Sequence, residues 1–153
     1  MSEKNRQENI DFIGDIHGNA SALQELLHTL GYTEGGGTFN HPLGRRVVFL
    51  GDYIDRGTEV DKTLRIVRSM VDSGNAMALL GNHEYNAVCF NAPDGKGDYL
   101  RSHTEENGKN VKQHQSTLDQ FVDDPTQWDE WISWFKTLPF YIDTKSWRAV
   151  HAA

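Results

Sequence analysis

Three short polar clusters each follow an apolar run. They are "GDIHG" with Asp15 and His17, "GDYIDRG" with Asp52, Asp55 and Arg56, and "GNHE" with Asn82, His83 and Glu84. Imidazole nitrogen beside carboxylate oxygen is a ligand set for Mn, Fe, Zn or Ni. Asp15 and His17 are two apart, so on an extended strand end they project to the same side. Asp52 has two oxygens and is able to bridge two cations, and Asn82 offers a neutral carbonyl oxygen. Two cations about 3.5–4 Å apart clamp an in-line phosphoryl displacement, with a hydroxide held between them as nucleophile. Arg56 supplies a planar fork for two phosphate oxygens. His83 is placed to protonate a leaving oxygen, with Asp55 orienting it. Each cluster alone is weak: Asp-x-His is frequent by chance, Asp-Arg-Gly is an ordinary turn, and Asn-His is an ordinary helix start. Their order, each behind an apolar strand, carries the reading.

Positioning such clusters requires strands that end together. Ile10–Gly14, "RVVFLGD" and "NAMALLGN" are short apolar runs that suit buried strands covered on both faces. Between them lie two helical stretches. Ala22, Leu23, Leu26, Leu27 and Leu30 share one helical spacing, with Ser21 and Gln24 as a capping box and Gly31 as the stop. Val60, Leu64, Val67 and Val71 share the other, with Thr58 as cap. "EGGGTFNHPLGRR" reads as a loop or small hairpin, and "HEYNAVCF" as the start of a helix. The alternation predicts an α/β fold with a largely parallel sheet. In open sheets of this kind the carboxyl ends of strands face the ligand crevice.

The rhythm changes after Phe90. Residues 91–116 are polar and form a cap-like excursion in a single domain spanning 1–153. His103, His114, Lys109 and Lys112 are expected there as solvated side chains. Leu118–Val122 and Trp128–Leu138 read as helical, with Trp128, Trp131, Ile132 and Phe135 as core at i, i+3, i+4 and i+7. "FYID" and "WRAVHA" read as a strand hairpin.

The formal net charge of -7 argues against a nucleic-acid-coating or anionic-membrane protein. It leaves anionic substrates open, since bound cations invert the local field. A single cysteine, Cys89, fits a reducing compartment. The N-terminus has no apolar signal core and no run approaches a membrane span, so the expected setting is cytoplasmic.

Together "GDIHG", "GDYIDRG" and "GNHE" resemble the three N-terminal signatures of the calcineurin-like metallophosphoesterases. The "GDxxDRG" form resembles the phosphoprotein-phosphatase branch, which includes bacterial serine/threonine phosphatases and diadenosine tetraphosphate hydrolases. "AVHAA" resembles that family's next strand-end histidine motif. The resemblance implies a layered β-sandwich flanked by helices, and a two-metal phosphoric-ester hydrolase acting on a phosphoprotein or dinucleoside polyphosphate. The metals it implies are Mn first, with Fe, Zn or Ni also open. Asp15 and His17 would bind the first cation, Asp52 would bridge, and Asn82 and His151 would bind the second. His83 with Asp55 would be the acid dyad, and Arg56, with Asn82, would hold substrate. Glu84 is read as a helix-start charge. The resemblance also implies a further Gly-His histidine, for which His28, His41, His103 and His114 lack the context. The expectation is therefore a fold incomplete at its C-terminus, with a native chain running past Ala153. The alternative function is a non-catalytic metal- or phosphate-binding fragment or degenerate relative.

Overall fold

The computed structural model describes residues 9–152; the polar N-terminal stretch read above for a leader lies outside the described residues, as does Ala153. Three strands form one parallel sheet in the order β1 (Ile10–Ile13), β4 (Arg46–Phe49), β5 (Ala76–Ala78). Between them come α1 (Ala20–Thr29), a hairpin of β2 (Thr33–Gly35) and β3 (Thr38–Asn40), and α2 (Val60–Asp72). Then follow α3 (Asn82–Phe90), α4 (Lys109–Phe121), α5 (Pro125–Phe135), and an antiparallel hairpin of β6 (Tyr141–Asp143) and β7 (Arg148–Val150). The expected α/β architecture and both expected hairpins are present.

The run "VVF" is apolar throughout because both faces of its strand are covered. Val47, Val48 and Phe49 are fully buried. Side chains alternate across a strand, so Val47 and Phe49 join a helix-side core with Leu23, Leu27, Leu64, Val67 and Phe135. Val48 faces the other way, into a smaller cluster with Leu79 and Ala149 of the β6–β7 hairpin. Helices therefore pad one face of the sheet and the hairpin pads the other. The aromatic stripe of α5 is core, as its spacing predicts: Trp128, Trp131, Ile132 and Phe135 are all buried.

Helix starts depart from expectation. Ser21 is not the cap of α1, nor Thr58 of α2; the N-caps are Asn19 and Glu59, neither with a side-chain cap bond. Partners from elsewhere satisfy the first-turn N–H groups instead. Glu59 accepts from Ser21 N and Oγ, and the Gln120 side chain accepts from Val60 N at 2.7 Å. Local sequence does not reveal a cap supplied by another helix. Helix α4 begins at Lys109, well before the Leu118 start expected, so the back of the polar excursion is helical.

Candidate active site

The loops leaving β1, β4 and β5 lie side by side because their strands do. Backbone bonds knit the first two: His17 N donates to Asp52 O at 2.9 Å, Gly18 N to Tyr53 O at 2.8 Å, and Gly57 N back to His17 O at 2.9 Å. The third loop is joined through Glu84. Its carboxylate is wholly buried and accepts from Asp52 N (2.8 Å), Tyr53 N (2.6 Å) and Gly81 N (3.1 Å). Glu84 thus serves the start of α3, as read from sequence, and also holds the neighbouring loop, which sequence does not show. Burial pushes its carboxyl up to about 7, against the pull of the backbone N–H groups.

All the non-glycine residues with left-handed backbone among the described residues sit in these loops: Asp15, His17, Asp52, Asp55 and Arg56. Such conformations are costly and cluster where a chain must aim side chains. They also correct one premise. Strand β1 ends at Ile13, so Asp15 and His17 are not on extended backbone and the two-apart argument does not hold for them. Asp15 falls with Asp52 and His151, and His17 with Asp52 and His83; within each trio the potential ligand atoms lie within 4.8 Å of one another. Asp52 belongs to both.

The histidine orientations are informative. His17 Nδ1 lies 2.9 Å from Ile54 O, and His151 Nδ1 lies 2.7 Å from Leu50 O. A carbonyl only accepts, so each Nδ1 is the donor there and Nε2 is the nitrogen left facing the acidic cluster. The two Nε2 atoms lie 3.7 Å and 3.4 Å from the same oxygen, Asp52 Oδ2. Donation of the second ring nitrogen to a carbonyl is how metal-binding histidines are held. Asn82 Oδ1 lies 2.8 Å from His151 Nε2 and faces the Asp52 carboxylate, an all-acceptor setting. Turned over, its nitrogen would donate to both; a cation among them suits the oxygen orientation. The donor set and these orientations fit divalent cations.

Beside this cluster, His83 Nδ1 is 2.6 Å from Asp55 Oδ2. Asp55 is buried and its other oxygen accepts from His114 Nδ1 at 2.7 Å and Thr117 Oγ1 at 2.7 Å. Burial raises the Asp55 carboxyl, but the bonds from His114, His83 and Thr117 prevail and hold it well below the usual carboxylate range. The Asp55 bond in turn raises His83, against burial. His114 is therefore not a solvated loop residue: it is buried on α4 with Thr117 and Phe121. Nor is His103, whose ring stacks between Phe90 (3.6 Å) and Tyr99 (3.9 Å). Arg56 is exposed at the mouth of the site.

Two cavities meet at Asn82. One of about 250 Å³ is lined by Asp55, Arg56, His83, Arg101, Asn110 and Gln113, among others. The other, about 710 Å³, is lined by Tyr85, Phe140, Tyr141, Val150 and His151.

Residues 9–151 match the model of the calcineurin-like phosphoesterase family. A bis(5'-nucleosyl)-tetraphosphatase PrpE [asymmetrical] of Oceanobacillus iheyensis is 43% identical over 74 residues, covering 48% of this chain and 30% of that protein. A symmetrical bis(5'-nucleosyl)-tetraphosphatase of Aromatoleum aromaticum is 31% identical over 140 residues, covering 92% of this chain and 42% of that protein. The chain thus spans less than half the length of these relatives. A metallophosphoesterase structure from Sphaerobacter thermophilus superposes with a TM-score of 0.57 at 18% identity, over 91% of this chain and 44% of that one; it has the same fold.

Proposed function

The chain belongs to the calcineurin-like phosphoesterase family, and from that premise we propose that its site serves metal-dependent hydrolysis of phosphoric esters and anhydrides, in one domain over 1–153. One observation carries the proposal: His17 and His151, each fixed through Nδ1 on a backbone carbonyl, turn Nε2 toward the same Asp52 oxygen. Asp15, His17, Asp52, Asn82 and His151 would hold two divalent cations, Mn first among them, with Fe, Zn or Ni suited to the same donors. Bound there, such cations supply Lewis acidity and a nucleophile at neutral pH.

The remaining steps belong to the chain. Arg56 binds two oxygens of the scissile phosphoryl group through its fork. Water adds to phosphorus and gives up one proton to solvent, the P–O bond to the leaving group breaks, the leaving oxygen takes the proton from His83 Nε2, and solvent then reprotonates His83. Asp55, bonded to His83 Nδ1 at 2.6 Å, orients the ring and stabilises its charged form before that transfer. Asn82, at the junction of the two cavities, would contact the same substrate.

Among phosphorylated substrates the dinucleoside polyphosphates are favoured over phosphoproteins. The names of the relatives support this, and so does the larger cavity, whose Tyr85, Phe140 and Tyr141 offer faces for a base. The single cysteine supports a cytoplasmic setting; among the described residues no helix is long and apolar enough to cross a membrane.

The test is metal stoichiometry together with turnover of an aryl phosphate and of a dinucleoside tetraphosphate, with and without chelator. Bound cations and chelator-sensitive release of phosphate from either substrate are expected. Bound cations without turnover of any ester would leave a binding module in its place, and Asp52→Asn with undiminished metal affinity would remove the proposed bridge.

A further inference from the structure

The polar cavity beside His83 has a second guanidinium. Arg101, from the excursion after α3, lines it together with Arg56, Asn110 and Gln113. Among the described residues neither Arg56 nor Arg101 has a carboxylate within ion-pair distance, although the chain carries a net charge of -7. The acid in the wall, Asp55, has both oxygens taken by His83, His114 and Thr117. The cavity therefore presents donors and cations that lack an anion.

Arg101 is also held in place. Its backbone N donates to Cys89 O at 3.1 Å and its Nη2 to Gln113 Oε1 at 2.9 Å. The flanking turn is tied by Asp98, which accepts from Ser102 Oγ and His103 N, and by the stacked His103 ring. A guanidinium fixed in this way keeps its fork pre-oriented and loses little freedom on binding. Lys112 is the competing cation. It lines an adjoining, more open cleft that shares Arg56, His83 and Gln113 with this cavity, but whose wall on the Lys112 side includes the Asp119 carboxylate, which disfavours a second negative group there.

We propose that Arg101, with Asn110 and Gln113 beside it, forms a second anion subsite that takes the phosphoryl group next to the one bound by Arg56. The inference rests on the hydrolase reading above and names what sets its substrate range: phosphate chains bind better than single phosphoryl groups. At about 250 Å³ the cavity is below the usual size for a whole nucleoside-sized ligand, but it admits a short phosphate chain.

The experiment is calorimetric binding of orthophosphate and of tripolyphosphate to the 153-residue chain. Excess magnesium is present throughout, so that the longer anion does not strip cations. The wild type should prefer tripolyphosphate, and Arg101→Gln should lower the ratio of the two affinities about tenfold or more. Arg101→Lys should recover part of the ratio, since charge returns without the fork. Arg56→Gln should weaken both anions and leave the ratio nearer its starting value. No preference in the wild type, or a ratio unmoved by Arg101→Gln, overturns the subsite. Aryl phosphate turnover is measured in parallel. Preserved turnover with an unmoved ratio defeats the subsite alone. A clear Arg101-dependent ratio without any turnover defeats the hydrolase reading and leaves the subsite standing.

Discussion

Both oxygens of Asp55 are engaged, one by His83 and the other by His114 and Thr117. A carboxylate fixed at each end has one orientation, and the His83 ring inherits it. His83→Gln should therefore cost about 10²–10⁴ in turnover on esters with poor leaving groups, and less on a nitrophenyl ester, whose phenolate departs without a proton. Equal losses on both would remove His83 from the leaving-group role. His114→Phe keeps the bulk beside Phe90 and Trp128 but removes a donor to Asp55. It should show the same leaving-group bias at smaller size, about tenfold, and an unbiased loss would mean only that the fold had loosened. At this scale the strand-end residues were legible, because Asp, His, Asn and Arg stand in short motifs behind apolar runs. His114 was not. Its helix buries His114, Thr117 and Phe121 on one face, and a buried face made partly of polar residues gives no apolar period to read. The strain at Asp15, His17 and Asp52 was equally hidden: Asp and His enter the left-handed region more often than most residues, but still too rarely for residue type to announce it.

At the scale of elements, the close approach of the β4 and β5 loops sets the site. A Cβ on Gly81 would lie 2.3 Å from Asp52 N and 2.4 Å from Asp52 Oδ1. Gly81→Ala should therefore cost roughly 1–3 kcal/mol of stability and lower metal affinity as well, measured by denaturant unfolding and by metal titration. Full stability with unchanged affinity would show that the loops yield freely. The far end of the sheet carries a different device. Asp11 on β1 accepts from Arg45 Nε at 3.0 Å and from Tyr32 Oη at 2.8 Å. The Arg45 bond lowers the Asp11 carboxyl, burial opposes it, and Tyr32 adds to the lowering. A depressed carboxyl stabilises the fold above its unfolded value, near 3.9, and the contribution fades as acid reaches the lower folded value. The stability gap between wild type and Asp11→Asn should be level from pH 6 down to about 4 and close below it; a gap that widens in acid would contradict the linkage. Strands and most helices were legible from periodicity. Two helix caps were misread because Glu59 and Gln120 supply them across the fold.

For the molecule as a whole, chain order and spatial order differ in a way that matters. The strands run β1-β4-β5 across the sheet, so residues from Asp15 to Glu84 assemble from one stretch of sequence. His151 arrives from far along the chain, on a separate hairpin that reaches the sheet through Ala149, Ile142 and Trp147. That split explains why sequence showed the first part of the site on its own residues, while His151 stood only on resemblance. It also has a kinetic consequence. The hairpin is fastened to the parallel sheet by a small apolar cluster and by His151 at Leu50, Asp52 and Asn82. Its apolar attachment is small beside that of the helix side, so it should swing open and reclose without the helical core unfolding. A cation gripping Asp52 and His151 together would act as a clasp between two segments that otherwise part easily. Amide hydrogens of Tyr141–Val150 should then exchange markedly more slowly with manganese present, while those of α2, already buried in the main core, change little. A uniform slowing across both would mean that the molecule opens as one piece.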